Sequence, residues 1–175
     1  MFKRKILKKL EAWKKSNLRK PLILRGARQV GKTTIVNEFG LQYDNYLYFN
    51  MEKSENVKLF EMEIPLDDLV TTLFASVGKT QKPGQTLIFI DEIQNSPKTI
   101  ALLRYFYEQR PDLHVIAAGS LLENLIDVKV SFPVGRVQYL ALRPCSFYEF
   151  LGATGKNNLL AVLNGNPEIS TAFHD

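Results

Sequence analysis

One stretch of the chain has residue types and spacing suited to holding an anion. Gly26-Ala27-Arg28-Gln29-Val30-Gly31-Lys32-Thr33 fits the spacing G-x-x-x-x-G-K-[ST]. Glycines at its ends let the backbone curl so that successive N–H groups converge on phosphate oxygens. A helix beginning at Lys32 would add its free N-terminal N–H groups and dipole. Lys32 supplies a mobile positive charge for β- and γ-phosphates, and the Thr33 hydroxyl is a ligand suited to Mg²⁺. With Thr34 these eight residues form the expected nucleotide contacts. Arg28 and Gln29, at variable positions of the loop, could touch phosphate or base, or face solvent or a partner.

A triphosphate site of this kind also needs a carboxylate from a neighbouring strand. Leu87-Ile88-Phe89-Ile90-Asp91-Glu92 has that form, four apolar residues leading to two acids. Asp91 is expected at the carboxyl edge of the sheet, holding the metal and its water shell. Glu92, one residue on, can orient or deprotonate a water for attack on the γ-phosphate. The other use of an acid pair here is to cap the following helix. Gln94 is read as a cap of that helix, with water orientation as the second use of its amide.

The elements that must position these groups follow from periodicity. Pro21–Arg25 reads as a short buried strand, 26–31 as the loop, and Lys32–Phe39 as a helix closed by Gly40. Strands are expected at Tyr46–Phe49, Leu87–Ile90, His114–Ala118 and Val137–Leu142. Helices are expected at Ser54–Phe60, Leu66–Val77, Pro97 to about Arg110, Ser120–Ile126, Pro144–Leu151 and Asn157–Leu163, with a turn at 164–167. Strands that alternate with helices, each a compact apolar run, imply a parallel sheet covered on both faces: an α/β three-layer fold.

Composition narrows the function classes. The chain has 175 residues, 45% hydrophobic and 23% charged, enough to bury a core. No apolar run is long enough for a membrane span, and the lysine-flanked N-terminus lacks the apolar block of a signal peptide. The single cysteine, Cys145, excludes an internal disulfide framework and fits a reducing, cytoplasmic setting. Net charge is +5, yet residues 1–20 hold nine bases and one acid, and the remaining 155 residues carry −3. Residues 1–20 are therefore a basic arm in which Phe2, Ile6, Leu7, Leu10 and Trp13 share one helical stripe. Three roles are open to it: docking by that stripe, contact with DNA or RNA phosphates, or attachment to an anionic membrane surface.

The phosphate loop, Asp91-Glu92-Ile93-Gln94 and Pro144-Cys145-Ser146-Phe147-Tyr148-Glu149-Phe150 together resemble prokaryotic AAA-type P-loop ATPases. Those proteins are related to the AAA+ and STAND groups and carry a C-terminal domain of unknown function. The resemblance covers about residues 1–165. It implies an AAA+-like core at 21–152 with five parallel strands in the order 5-1-4-3-2, followed over 153–175 by the start of a helical lid or a linker, expected to be incomplete at 175. It implies ATP and Mg²⁺ as ligands. It places a γ-phosphate sensor after the fourth strand, where Ser120 stands; a helix cap is the other role for that serine. It also places an arginine before the fifth strand that reaches the nucleotide of a neighbouring subunit. Arg136 occupies that position, the alternatives being a surface arginine or one paired within its own chain. The expected function is ATP hydrolysis as a switch or motor, with ATP and ADP as ligands and a homo-oligomer, DNA or a protein as partner. The alternatives are a nucleic-acid-binding module regulated by nucleotide and a scaffold without turnover. GTP is disfavoured because no Asn/Thr-Lys-x-Asp signature is present, and a small-molecule kinase is disfavoured by Glu92 beside the metal acid.

Overall fold

The computed structural model describes residues 4–82, 84–120 and 133–165. After helix α1 (Ile6–Lys15), strand β1 (Leu22–Arg25) leads through the glycine loop into α2 (Lys32–Gly40). Then follow β2 (Asn45–Asn50), α3 (Ser54–Phe60), α4 (Leu66–Ser76) and β3 (Thr86–Asp91). A short 3-10 turn at Ile93–Asn95 precedes α5 (Pro97–Gln109). The chain continues with β4 (His114–Gly119), β5 (Gln138–Ala141), α6 (Phe147–Ala153) and α7 (Asn157–Gly165).

The five strands form one sheet in the order β2-β3-β4-β1-β5, every pair parallel. Read from the other edge, this is the expected order 5-1-4-3-2. Every residue of β3 and β4 is buried, whereas burial in edge strands β2 and β5 falls off on alternate residues. That difference explains why the middles of β3 and β4, 87–90 and 115–118, are unbroken apolar runs in the sequence.

Alternation within the strands feeds two cores. Leu22, Leu24, Leu87, Phe89, Ile116 and Ala118 face Ile6, Leu10 and Trp13 of α1 and Ile35, Val36 and Phe39 of α2. Ile23, Ile88, Ile90, Val115 and Ala117 face Leu69 and Leu73 of α4 and Ile100, Leu103 and Phe106 of α5. The arm is thus docked by its apolar stripe, and Trp13 Nε1 donates to Lys20 O at 2.8 Å. Phe2 of that stripe lies outside the described residues.

Several boundaries differ from expectation for identifiable reasons. Gly40 does not cap α2 in a left-handed conformation. It is the last helical residue, and a Cβ there would come within 2.7 Å of the Tyr46 ring, so close packing explains the glycine. The helix expected from Pro144 begins instead at Phe147. Ser146 accepts from Glu149 N, and Glu149 reaches back to Ser146 N, a capping box that fixes the start. Asn164 and Gly165 close α7 rather than opening a turn. The helix expected from Ser120 to Ile126 falls, beyond Ser120, outside the described residues, as does the turn beyond Gly165. No helix among the described residues is long and apolar enough to cross a membrane.

Candidate nucleotide site

The site stands at the carboxyl edge of the sheet, where β1 ends in the glycine loop. Gly26 passes so close to Leu142 that an added Cβ would lie 2.3 Å from the Leu142 carbonyl oxygen. Gly31 sits at φ +90°, and Gln29 takes φ +63° despite its side chain, so the loop is curled as an anion cradle requires. Arg28, Gln29 and Thr34 are exposed, and Val30 and Gly31 are half-buried. Lys32 is only 7% exposed, and its Nζ donates to Gly26 O and Ala27 O at 2.8 Å each. Burial lowers its pKa, opposed by the nearby charges of Glu92 and Asp91.

Asp91 closes β3 at 2% exposure. Its Oδ2 accepts from Thr33 Oγ1 at 2.7 Å and from the Tyr48 hydroxyl at 3.3 Å, and its Oδ1 accepts from Glu92 N at 3.0 Å. Burial raises its pKa, and the hydrogen bonds from Thr33 and from Glu92 N work against that rise. A buried cation and a buried carboxylate therefore stand side by side, each desolvated and neither ion-paired with the other.

The expected group Lys32, Thr33, Asp91 and Glu92 is brought together. Glu92 adopts a left-handed conformation at φ 52°, ψ 42°, and its side chain caps nothing. The cap of α5 is Ser96, which accepts from Thr99 N. Gln94 does not cap that helix either; its Nε2 donates to Glu92 Oε2 at 2.5 Å. Ser120 follows the end of β4, beside β1, because Gly119 pairs in register with Arg25. Its Oγ is buried and has no hydrogen-bond partner among the described residues.

Arg136 is not part of this chain's own site. It precedes β5, whose first residue Gln138 pairs with Leu22, the first residue of β1, so it lies at the opposite, amino edge. There its Nε contacts Glu108 Oε1 at 3.0 Å.

Sequence reading missed two contributors, Tyr48 and Arg4, and placed a third, Gln94, as a helix cap ahead of water orientation. Tyr48 was legible only as a strand aromatic. Gln94 reaches Glu92 through the left-handed bend between them. Arg4 braces the loop from behind: its guanidinium donates to Val30 O at 3.3 Å and Arg143 O at 2.6 Å, and its Nε lies 3.3 Å from Glu149 Oε2. No local pattern announces a contact across 26 residues, although Glu149 was already prominent within its motif. Of the other arm bases, Lys14, Arg19 and Lys20 donate to backbone carbonyls, and Lys5, Lys8, Lys9 and Lys15 are exposed.

Comparison with known proteins agrees with this fold. Residues 18–151 match the family described as AAA domain. A solved structure, the Walker-type ATPase PABY2304 of Pyrococcus abyssi, superposes with a TM-score of 0.57 at 20% identity, over 90% of this chain and 59% of that one. The chain thus spans about 59% of the length of that structure, and the likeness establishes a shared fold. No curated protein matches by sequence.

Proposed function

The chain belongs to the AAA-domain family of P-loop ATPases, and from that premise we propose that it binds Mg²⁺-ATP at the carboxyl edge of its sheet and hydrolyses it to ADP and phosphate as a molecular switch. The observation that carries this reading is the 2.7 Å hydrogen bond from Thr33 to Asp91, which joins the start of α2 to the end of β3. A hydroxyl and a carboxylate there are hard oxygen donors of the kind Mg²⁺ takes, with phosphate and water completing its shell. Thr33 and Asp91 would hold that ion, which when bound neutralises charge on the phosphate oxygens.

Lys32 is stored on the carbonyls of Gly26 and Ala27, and phosphate oxygens offer it stronger, charge-assisted partners. The curled backbone of 26–31 binds the phosphates. Ser120, with a buried hydroxyl lacking a partner, donates to the γ-phosphate, so its occupancy reports whether ATP or ADP is bound. Glu92 takes the proton of the attacking water. Protein or nucleic-acid partners would respond to that nucleotide state.

Replacing Glu92 by Gln should keep ATP affinity and reduce hydrolysis by about 100-fold or more, as expected for loss of a general base. The check is equilibrium nucleotide binding beside phosphate release. Unchanged phosphate release would remove Glu92 from this role. A folded parent chain that retains no adenine nucleotide with magnesium would remove the whole reading.

The four exposed lysines of the arm, Lys5, Lys8, Lys9 and Lys15, favour a second role, nucleic-acid contact. Removing their charges should flatten the salt dependence of DNA binding, and an unchanged slope would eliminate them as the contact.

A further inference from the structure

The contact between Gln94 and Glu92 leaves half of an amide unused. Gln94 Nε2 is committed to Glu92 Oε2 at 2.5 Å, while Gln94 Oε1 is buried with no hydrogen-bond partner among the described residues. Native folds seldom leave a buried amide oxygen unpaired. Here the segment is pinned on both sides of Gln94. Ile93 is fully buried, and the Ser96 hydroxyl contacts Glu61 Oε1 at 2.8 Å and Thr99 Oγ1 at 2.6 Å. Just before it, Glu92 is held at φ 52°, a conformation a non-glycine side chain pays for and one that recurs at functional sites.

Covalent geometry turns this into a distance. The nitrogen and oxygen of one amide are about 2.3 Å apart, so Gln94 Oε1 lies within about 5 Å of Glu92 Oε2. A single water donating two hydrogen bonds of roughly 2.7–2.8 Å across its H–O–H angle spans two acceptors about 4.4 Å apart, a separation inside that limit. An attacking water carries two O–H groups, and fixing its lone pair requires an acceptor for each. A carboxylate and an unpaired carboxamide oxygen on neighbouring groups are two such acceptors.

We propose that Gln94 and Glu92 together hold the attacking water, Glu92 accepting one O–H and Gln94 Oε1 the other. The amide N–H of Gln94 meanwhile fixes the carboxylate that takes the proton. The inference rests on the hydrolytic reading above and adds a second catalytic residue to it. In the step itself, the water oxygen forms a bond to the γ-phosphorus. The bond from that phosphorus to the β–γ bridging oxygen breaks, and ADP leaves with the bridging oxygen and its electron pair. One water proton passes to Glu92 and is then lost to solvent; the other stays on inorganic phosphate.

The test uses the full chain and two replacements of similar length. Gln94→Met removes donor and acceptor. Gln94→Glu keeps the shape and acceptor oxygens, loses the donor and sets a like charge against Glu92. Mg²⁺-ATP affinity, kcat, KM and Tm are measured for both and for the parent. The expected result is a 10- to 100-fold lower kcat for Gln94→Met with KM and ATP affinity within about twofold of the parent. Gln94→Glu should fall lower still, and Tm should not follow the kcat order. A packing role would lower affinity, kcat and Tm together, and that pattern overturns the proposal. So does a Met variant that turns over as fast as the parent, or faster, provided the parent hydrolyses ATP. A parent that binds ATP without hydrolysing it overturns the hydrolytic reading itself, a result distinct from failure of Gln94 alone.

Discussion

At the amino edge of the sheet, Arg136 and Arg104 both lie 3.0 Å from Glu108, and Arg110 reaches Asp67 at 3.0 Å and Asp112 at 2.9 Å. A buried polar group there, His114, is also satisfied: its Nδ1 is 2.7 Å from the Tyr43 hydroxyl. The carboxyl edge is arranged differently. Lys32 rests on backbone carbonyls, Asp91 is buried without a cation, and Glu92 and Gln29 hold left-handed backbone. Three buried side-chain atoms lack a hydrogen bond among the described residues: Gln94 Oε1, Ser120 Oγ and Arg4 Nε, the last of which is ion-paired with Glu149 at 3.3 Å. All three belong to residues that adjoin the phosphate loop or the end of a central strand. One edge closes its own electrostatics, and the other leaves charge and hydrogen-bonding capacity for a ligand to complete. A ligand that completes them binds the folded state alone and so stabilises it.

Breaking the open edge should give the largest effect. Lys32→Met keeps the length of the stem and removes the charge. ATP affinity should fall about 100-fold or more, the order expected for losing a charge-assisted contact of about 3 kcal/mol. The melting temperature without nucleotide should change little, because the lost partners are two loop carbonyls. Titration with a fluorescent ATP analogue and a thermal scan check both halves. A large stability loss with affinity retained would make Lys32 a structural residue and erase the contrast between the edges.

The closed edge is sharpened by pH. Burial first, then the charges of Arg19 and Lys14, push the pKa of His114 down to about 4. The folded state thus holds this ring neutral at pH values where the unfolded chain, titrating near 6.5, already binds a proton. Stability from this group is complete above about pH 6.5 and is lost as pH falls toward 4. The full loss is on the order of 3 kcal/mol by linkage. Thermal midpoints of the parent should drop across that window, and those of His114→Phe should drop less. Equal slopes would show that His114 is not held neutral.

The sequence revealed these two edges unequally. The phosphate loop was legible because its chemistry needs fixed residue types at fixed spacing, and Asp91 because a buried strand ending in acids has few other uses. Strand order came from family resemblance, since pairing between distant segments leaves no local trace. The start of α6 was misplaced because Pro144 is a strong helix signal, although Ser146 and Glu149 already had the spacing of a capping box. Gln94 was assigned to a cap because only the bend at Glu92 turns its amide toward the carboxylate. Arg4 was counted as one more base of the arm, and its contact with Val30 depends on α1 docking beside the loop.

The smallest expected effect concerns Arg136, and it decides whether the closed edge has any part in catalysis. Within one chain the arginine is 46% exposed, paired with Glu108 and at the edge opposite the phosphate loop. Arg136→Ala should therefore leave ATP affinity unchanged at protein concentrations where the chain is monomeric. Its stability should hardly move, since an exposed pair is screened by solvent. Where chains associate, an arginine released from Glu108 can reach a neighbour's nucleotide, and the variant should then fall behind the parent in hydrolysis as concentration rises. The measurement is ATP turnover per chain over a range of protein concentration, beside the molecular mass in solution. A deficit that is the same at every concentration would place Arg136 in its own chain's chemistry, against the geometry of the sheet.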